Sequence, residues 1–407
     1  VIRGTSIYML GRVIPMLPRE LSNGICSLNA GEDRYTLSCS MEIDKKGKVI
    51  SSSVYKGLIK VTERMTYTDV QKILDKSDKK VLKRYEKYIQ EFENMKELAT
   101  ILKNRRLEQG YLNLDIPESK IVLDTDGKAI DVKKYETNFA NEIIEQFMLT
   151  ANETIAEKFY WLDAPFIYRV HENPDLEKIT ELNKFLFNFG YKIKTNKDNV
   201  YPKEFSKVLE EVKGKEEERV VSNLILRTLK VARYEAENKG HFGIASKYYC
   251  HFTSPIRRYP DLFIHRIISK YIENNYDIKE KEIQKLYDLA EKRADSSSER
   301  EKIATKVERE AIDIKKAEYM ENKIGEVYEG IVSSVTQFGI FVELENTVEG
   351  LIRFENLGDE YFIYDENKKI LIGERTNKIY KIGDKVKIKV IKANKLLRQI
   401  DFELYND

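Results

Sequence analysis

The spacing of apolar residues divides the chain into a strand-rich start, a long helical middle and a strand-rich end. Over residues 1–60, short segments of alternating apolar and polar residues are separated by Gly, Asn and Asp, which predicts strands and turns. Beyond them, helical spacing of apolar residues predicts helices over four stretches: Thr68 to Gln109, Ile143 to Phe159, residues 175–240, and Leu262 to Tyr271.

A charged helix is predicted from about Lys281 to Asn322, with an apolar stripe formed by Ile303, Val307, Ala311 and Ile314. After Gly325 the period changes to two, and apolar faces alternate with polar ones in the strand of Ile340, Val342 and Leu344 and in that of Val386, Ile388 and Val390. Several short strands bent by glycine predict a small closed barrel. We therefore place the domain boundary near Asn322, with an α+β domain of a mixed sheet and many helices over 1–322 and an all-β barrel over 323–407.

Composition narrows the class of protein without giving its function. Of the 407 residues, 42% are apolar and 34% are charged, which is typical of a globular protein, and the net charge of +2 does not indicate a nucleic-acid partner. Three cysteines without a CxxC pair argue against a disulfide framework or a zinc site and favour a reducing compartment. No apolar run is long enough for a membrane span and no signal peptide is apparent, so we predict a cytoplasmic protein without membrane association.

The segment from His241 to Asp261 carries the strongest candidate chemistry, because two adjacent arginines lie between Pro255 and Pro260. Prolines limit the conformations of a loop, and arginines on such a loop can present their planar guanidinium groups to phosphate. We predict that Arg257 faces phosphate, whereas for Arg258 phosphate contact and a structural pair with a carboxylate are equally plausible. Asp261 is interpreted as the N-cap of the following helix rather than as a catalytic acid.

The same segment, "HFTSPIRRYPDL", resembles the signature of the catalytic domain of the RNase II/RNase R family of 3′→5′ exoribonucleases. The segments "RGTSIYML", "RMTYTDV", "IIEQFMLTAN" and "RVHENP" resemble that family in the same order, and "GEVYEGIVSSVTQFGIFVELENTVEGLI" resembles its ribosomal-S-one-type OB-fold. The resemblance covers nearly the whole chain. It implies processive Mg²⁺-dependent hydrolysis of single-stranded RNA to nucleoside 5′-monophosphates in RNA turnover and quality control.

In that family, clustered aspartates hold the metal, and they would fall upstream of Val1. We interpret the start of the chain as a truncation and predict no metal ligands within it. Four acids were considered as substitutes and are interpreted as turn or surface residues: Asp124, Asp126, Asp295 and Asp313. His241, His251 and His265 lack zinc spacing and are predicted to have structural or RNA-contacting roles.

The resemblance assigns two roles at the reacting end of the RNA. Arg257 matches the arginine at the scissile-end phosphate, and Glu308 matches a glutamate that assists catalysis, although a surface charge on the long helix is the alternative for Glu308. Tyr8 matches a tyrosine that stacks on the 3′-terminal base; from its residue type alone, a core position would be favoured.

Further positions correspond to groups that contact the sugar and the base. Tyr67 and Glu145 match residues near the ribose hydroxyls, and for Glu145 a plain helix-surface charge is equally plausible. The second aromatic of the base clamp aligns with Leu114, which cannot stack as an aromatic does, so Leu114 or the nearby Tyr111 completes the clamp.

In the barrel, the resemblance makes Phe338, Phe341 and Arg353 RNA-binding residues. Gly339 allows a bulge that could bring both rings to one surface; we favour exposure of Phe341 and leave Phe338 open between surface and core. Lys385, Lys387 and Lys389 form either a phosphate stripe or a charged strand edge.

Three functional hypotheses follow, with a monomeric protein and single-stranded RNA as its partner. The first is the exoribonuclease. The second is a non-catalytic RNA-binding protein that uses the same channel and barrel. The third is an RNA chaperone that binds through the barrel alone. The sequence does not identify helicase or degradosome partners.

Overall fold

The computed structural model describes residues 3–405 except 115–117, 136, 197–198, 216 and 367. The outer bounds predicted for the two domains, Val1 and Asp407, lie outside these residues. We refer to residues 3–321 as the body and to residues 327–404 as the barrel.

The body combines helices with short antiparallel sheets, and this confirms the predicted α+β class. Its described residues form nine α-helices: α1 (Tyr67–Leu74), α2 (Lys79–Arg84), α3 (Ile89–Gln109), α4 (Phe139–Trp161), α5 (Leu176–Leu186), α6 (Pro202–Val212), α7 (Glu218–Thr228), α8 (Tyr259–Glu273) and α9 (Glu280–Glu321). They also form eight strands: β1 (Ile7–Met9), β2 (Arg12–Ile14), β3 (Asp33–Ile43), β4 (Val49–Lys60), β5 (Ser119–Leu123), β6 (Ala129–Lys134), β7 (Tyr168–Val170) and β8 (Arg233–Glu235).

The sheet part of the body differs in detail from the mixed sheet that we expected. The described strands pair as β1–β2, β3–β4, β5–β6 and β7–β8, each a two-stranded antiparallel sheet. The first three pairs are hairpins, because a short turn suffices to reverse the chain between antiparallel neighbours. In the turn between β3 and β4, for example, the Asp44 carboxylate accepts from the backbone N–H groups of Lys46 and Lys48.

Helix α4 lies at the centre of the body and packs on both sides. Its N-terminal half shares a core with α1 and α3 through Ala140 and Ile143, and its C-terminal half shares a core with α8 and α9 through Ile155 and Phe159. Asn138 begins the helix with a reciprocal capping box to Asn141, which satisfies N–H groups that have no partner within the helix.

Two predictions about the last helices of the body are wrong. Helix α8 begins at Tyr259, so Asp261 lies in its first turn and is not the N-cap. On α9, Ile303 and Ile314 are 52% and 39% exposed, so the predicted stripe is not the buried one. The buried side of α9 consists mainly of small residues, Ala290, Ala294, Ser297, Ala304 and Ala317, because other elements approach this helix closely. At Ser298, for instance, the side chain accepts from the Tyr234 N–H of β8 at 2.9 Å.

The barrel is closed, as predicted, in the strand order β10-β11-β16-β15-β9. Its strands are β9 (Val327–Thr336), β10 (Gly339–Leu344), β11 (Glu349–Arg353), β15 (Lys385–Asn394) and β16 (Gln399–Leu404). Ile340, Val342 and Leu344 point into the core, which confirms their predicted face. A three-stranded sheet that was not predicted lies between β11 and β15 in sequence and consists of β12 (Phe362–Asp365), β13 (Ile370–Gly373) and β14 (Ile379–Lys381).

The barrel packs directly against the body. Its core cluster includes Val132 of β6, Val220 of α7, and Ala317 and Met320 of α9. Helix α9 ends at Glu321 and β9 begins at Val327, so the link between the two parts is short. The division of the chain into two domains at this point stays a prediction.

Glu318 of α9 links this helix to β6 in the body and to the barrel. Its carboxylate accepts hydrogen bonds from the Ala129 N–H of β6, from Lys315 of α9, and from Lys395 between β15 and β16. Burial alone would raise the pKa of Glu318, but these hydrogen bonds outweigh burial and lower the pKa to about 2.

We predict that Glu318→Gln lowers the free energy of unfolding by about 2 kcal/mol at pH 7, because the Gln side chain cannot retain all three charge-assisted contacts. The carboxylate stabilises the fold fully above its ordinary pKa of 4.5, and this stabilisation is lost as the pH falls from there toward 2. Chemical denaturation of the protein and the variant across this range measures the difference. The exposed Glu299→Gln on the same helix is the control, and a pH-independent difference for Glu318→Gln would contradict the prediction.

Candidate nucleic-acid interface and active site

A buried carboxylate shapes the loop that carries the two adjacent arginines. Asp261 is fully buried, and its Oδ1 accepts from the Ser254 N–H at 2.7 Å and from the Arg258 guanidinium at 2.8 Å. Burial alone would lower the pKa of Arg258, but the Asp261 carboxylate reverses this effect and holds the pKa above its usual value. Of the two alternatives for Arg258, these contacts favour the structural pair, and RNA contact by Arg258 stays a prediction.

Arg257, by contrast, has an exposed side chain, and its backbone is fixed. Its carbonyl accepts from the Ser6 N–H at 2.9 Å and from the Thr5 hydroxyl at 3.2 Å. The next residue but one, Tyr259, donates its N–H to the Gly4 carbonyl at 2.9 Å. The segment before β1 therefore runs along the loop that carries Arg257 and Arg258, which we call the arginine loop.

Gly4 is required for this arrangement. Its φ is +71°, and a Cβ atom at this position would lie 3.1 Å from the Cβ of Arg300 on α9. Only glycine combines this backbone conformation with such a close approach to the helix. The start of the described chain is thus held between the arginine loop and α9.

Tyr8 and Glu308 meet at the same place. Tyr8 lies in β1 with 49% of its surface exposed, so the core position that its residue type alone favoured is wrong. Its backbone N–H donates to Oε1 of Glu308 at 2.7 Å. Through β1, the structure brings together the three residues predicted at the reacting end, Tyr8, Arg257 and Glu308, from sequence positions as far as 300 residues apart.

Buried polar side chains support the arginine loop from below, and the sequence analysis did not identify their roles. Asn152 of α4 accepts from the Phe252 N–H at 2.9 Å and donates to the Tyr249 hydroxyl at 3.1 Å. Tyr234 shares a hydrogen bond of 2.9 Å with Nδ1 of His251, and Arg169 lies 4.6 Å from the centroid of the Tyr234 ring.

The histidines belong to this buried layer. His171 and His241 pack edge to face at 5.1 Å, and His171 Nδ1 accepts from the Gly243 N–H at 3.1 Å. Burial is the main cause, and the nearby His171 the second, of a pKa of His241 lowered to about 3. The imidazole is therefore neutral at physiological pH. These contacts favour structural roles for the two rings.

The candidate sugar and base contacts lie on α1, α4 and the turn after α3. Tyr67 is the first residue of α1 and is 48% exposed. Glu145 lies on α4, and its Oε1 accepts from the Tyr111 hydroxyl at 2.9 Å. Leu114 is half-buried against the cluster formed by α5, α6 and α7. The Tyr111 hydroxyl is therefore engaged by Glu145. This contact argues against the alternative in which Tyr111 completes the base clamp.

In the barrel, the two phenylalanines lie together on the surface. Their ring centroids are 6.4 Å apart in an edge-to-face arrangement, with Phe338 48% exposed and Phe341 half-buried. Phe338 is thus a surface residue and the more exposed of the two, whereas the sequence analysis favoured exposure of Phe341 and left Phe338 open. A Cβ atom at Gly339 would lie 2.1 Å from the Ile352 carbonyl oxygen, so only glycine fits against β11 at this position. Arg353 pairs with Gly339 across the strands and lies on the same face as Phe341.

The lysines of β15 already have partners. Lys389 lies 3.3 Å from Glu403, and the Lys387 ammonium lies 5.5 Å from the centroid of the Tyr405 ring. Lys385 and Lys387 make further contacts. Phosphate binding by this strand stays a prediction.

The acids considered as metal ligands do not assemble. Asp124 accepts from the backbone N–H groups of Asp126 and Lys128, which confirms its interpretation as a turn residue. Burial raises the pKa of Asp313 on α9. Over the part of the chain that is described, no three His, Cys, Asp or Glu side chains come close enough to hold a metal ion, and we derive no catalytic step through one. None of the described helices is both long and apolar enough to cross a membrane.

Comparison with known proteins agrees with this arrangement over almost the whole chain. The family model described as RNB domain matches residues 1–274, and the model described as S1 RNA binding domain matches residues 321–404. Ribonuclease R 1 of Lactococcus lactis is 44% identical over 401 residues, covering 98% of this chain and 49% of the relative. Ribonuclease R of Thermotoga maritima is 42% identical over 407 residues, covering 100% of this chain and 57% of the relative.

A solved structure is similar over the same span. Mycoplasma genitalium RNase R in complex with ribose methylated single-stranded RNA has a TM-score of 0.91 at 31% identity, covering 99% of this chain and 63% of that one. The chain thus spans between 49% and 63% of the length of these relatives.

We predict that Asp261→Asn lowers the free energy of unfolding by about 3–5 kcal/mol, because it leaves the partly buried Arg258 charge without its partner. Glu273→Gln on the same helix is the control, since Glu273 pairs with Lys56 at an exposed site where an ion pair contributes little. Urea denaturation followed by circular dichroism measures both. Equal stability of the two variants would show that the buried pair does not hold the loop.

Proposed function

Because the chain belongs to the RNB family, among its bacterial ribonuclease R members, we propose that it forms the catalytic region and S1 barrel of a processive 3′→5′ exoribonuclease. The proposed reaction is hydrolysis of single-stranded RNA to nucleoside 5′-monophosphates in RNA turnover and quality control. One observation carries the proposal: a single short segment contacts both other candidates, because Ser6 donates its N–H to the Arg257 carbonyl and Tyr8 donates its N–H to Glu308.

This convergence supports a division of roles at the 3′ end of the RNA. The exposed ring of Tyr8 can stack on the terminal base, which accepts any base and therefore suits degradation without sequence preference. The exposed Arg257 can form paired hydrogen bonds to phosphate oxygens through its planar guanidinium group. Glu308 accepts from the backbone N–H of Tyr8, and this contact supports a role for its carboxylate beside the stacking tyrosine.

Mg²⁺ dependence is part of the proposal. When bound, a metal ion would supply polarisation of the scissile phosphate and a hydroxide nucleophile in this class of reaction. The residues described here do not form its site, so the proposal assigns no residue of this chain to the metal.

The barrel would hold the strand so that cleavage is processive. Phe338 and Phe341 offer aromatic surface beside Arg353, a combination that binds single strands by stacking and charge. We further propose that the protein is monomeric, acts in the cytoplasm, and takes single-stranded RNA as its partner.

Two other functions use parts of the same surface. A non-catalytic RNA-binding protein would keep the contacts of Tyr8 and the barrel but release no nucleotides. An RNA chaperone that acts through the barrel alone would lose all binding when residues 323–407 are removed. The convergence of three predicted site residues in the body favours the exoribonuclease over the chaperone.

We predict that protein expressed from the complete gene releases nucleoside monophosphates from a 5′-labelled, 3′-tailed RNA in the presence of Mg²⁺, and that EDTA stops the release. Arg257→Ala should lower the rate at least a hundredfold, because a charge-assisted contact to the reacting phosphate is lost. RNA binding should persist within a few-fold, since the barrel is unaltered. Denaturing gels measure product release, and fluorescence anisotropy measures binding.

Arg266→Ala is the matched control, because Arg266 is also exposed but lies on α8 beyond the loop. It should leave both rate and binding unchanged. If the unaltered protein binds RNA tightly and releases nothing, the enzyme proposal fails and the RNA-binding alternative stands. If Arg257→Ala cleaves normally, the role of Arg257 is wrong.

We also predict that Phe338→Ala weakens the binding of single-stranded RNA about tenfold, because stacking on one aromatic contributes roughly 1–3 kcal/mol per base. The remaining RNA strand should dissociate after fewer consecutive cleavages. Tyr361→Ala removes a ring that is 72% exposed just before β12 and should have no effect. Titration by fluorescence anisotropy distinguishes the two variants, and equal affinities would argue against the barrel surface.

A further inference from the structure

Tyr111 makes a directed contact with one candidate site residue. It lies in the turn after α3, and its hydroxyl donates to Oε1 of Glu145 on α4 at 2.9 Å. Burial, followed by the Glu145 charge, raises the pKa of Tyr111, so the phenol stays protonated and acts as the donor. One oxygen of the Glu145 carboxylate is therefore held, and no donor among the described residues binds the other, Oε2.

The backbone of Tyr111 is fixed on both sides. Its N–H donates to the Arg106 carbonyl at 2.9 Å, and the N–H of the following Leu112 donates to the Gly243 carbonyl at 3.0 Å. Gly243 belongs to the segment that leads into the arginine loop, and its N–H is bound by His171. The position of the Tyr111 ring is thus determined by the same buried layer that supports Arg257.

Helix α4 is fixed just as firmly beside Glu145. Arg106 of α3 is buried, and its guanidinium donates to Gln146 at 3.1 Å, to Thr150 at 3.0 Å and to Glu153 at 2.8 Å. These three residues lie on the turns of α4 that follow Glu145. Because α3 carries both Arg106 and the turn with Tyr111, one helix sets both the placement of α4 and the direction of the Glu145 carboxylate.

We infer that Tyr111 is a positioning residue that aims the free oxygen of Glu145 at a ribose 2′-hydroxyl and thereby sets the preference for RNA over DNA. The inference rests on the proposed function and on the family resemblance, which matches Glu145 to a residue near the ribose hydroxyls of the bound strand. A 2′-hydroxyl is the donor that distinguishes RNA from DNA at a given nucleotide. A carboxylate that is free to rotate would make this hydrogen bond less often, so losing the Tyr111 hydroxyl would weaken the discrimination rather than abolish cleavage.

The alternative role for Tyr111 is to stack on a base as the second half of the base clamp. That role would require an accessible ring face, whereas the side chain is half-buried and its hydroxyl is engaged by Glu145. The two roles differ in the effect of Tyr111→Phe, since phenylalanine keeps the ring and removes only the hydroxyl.

The test uses protein expressed from the complete gene and a set of short RNAs, each with a single 2′-deoxynucleotide at one of the last few positions. Single-turnover rates on the all-ribose strand and on each 2′-deoxy strand give a discrimination ratio at each position. At the position that Glu145 senses, Tyr111→Phe should lower this ratio about three- to tenfold, the effect of one hydrogen bond to a carboxylate. The rate on the 2′-deoxy strand should hardly change.

A double-mutant cycle separates positioning from a general structural effect. If Tyr111 acts through Glu145, adding Tyr111→Phe to Glu145→Gln should change the ratio no further. Tyr191→Phe is the matched control, because Tyr191 is buried and donates to Glu217 at 2.7 Å on a different part of the body. It should leave the ratio unchanged.

An unchanged ratio in Tyr111→Phe would overturn the inference, and so would an equal loss of ratio in the Glu145→Gln background. A uniform fall in the rate on all strands would mean that Tyr111 only stabilises the fold. These outcomes differ from failure of the proposed function, in which the unaltered protein releases no nucleotide even from the all-ribose strand.

Discussion

The arrangement of the candidate site depends on the fully buried carboxylate of Asp261. A buried charge is tolerated only when it is paired and hydrogen-bonded, and Asp261 meets this requirement through Arg258 and the Ser254 N–H. The two hydrogen bonds to Oδ1 of Asp261 close the loop onto the first turn of α8 and turn Arg258 inward. The neighbouring Arg257 is then left exposed on a backbone that cannot move freely. One arginine of the pair thus secures the loop, and the other is left exposed for a ligand.

The same constraint extends to the other predicted residues through backbone contacts. The fixed carbonyl of Arg257 pairs with Ser6, and this places β1 against α9, where the Tyr8 N–H reaches Glu308. On the opposite side of the loop, Gly243 binds the turn of Tyr111, which holds Glu145. The exposed side chains that we assign to RNA are therefore connected by backbone and buried polar contacts. Such contacts allow each of them to keep its position while it is surrounded by solvent.

The barrel is joined to this site by apolar packing and by Glu318. Val132, Val220 and Met320 of the body complete the core of the barrel, so the two parts share buried surface. A strand held on the Phe338 and Phe341 surface would therefore have a fixed relation to the site in the body. A processive enzyme needs such a relation, since the strand must advance without being released. The three-stranded sheet beside the barrel adds Phe362, Leu371 and Tyr380 to the same core. No alternation of apolar and polar residues marks this sheet in the sequence, since "ILIG" has no polar side chain and "YFIYD" has one only at its end.

The sequence by itself determined the succession of strand-rich, helical and strand-rich regions, the closed barrel, and the loop that presents Arg257. These follow from local information: apolar periodicity, prolines beside Arg257, and motifs whose residues are close together in the chain. The sequence could not decide whether Arg258 faces phosphate or Asp261, which side of α9 is buried, or what Tyr111 does. The tertiary structure decided these points, because each depends on which groups from distant segments share a desolvated environment. Tyr111 and Glu145 lie on different elements, and Tyr8 and Glu308 are separated by most of the chain, so no local pattern indicates that they are in contact.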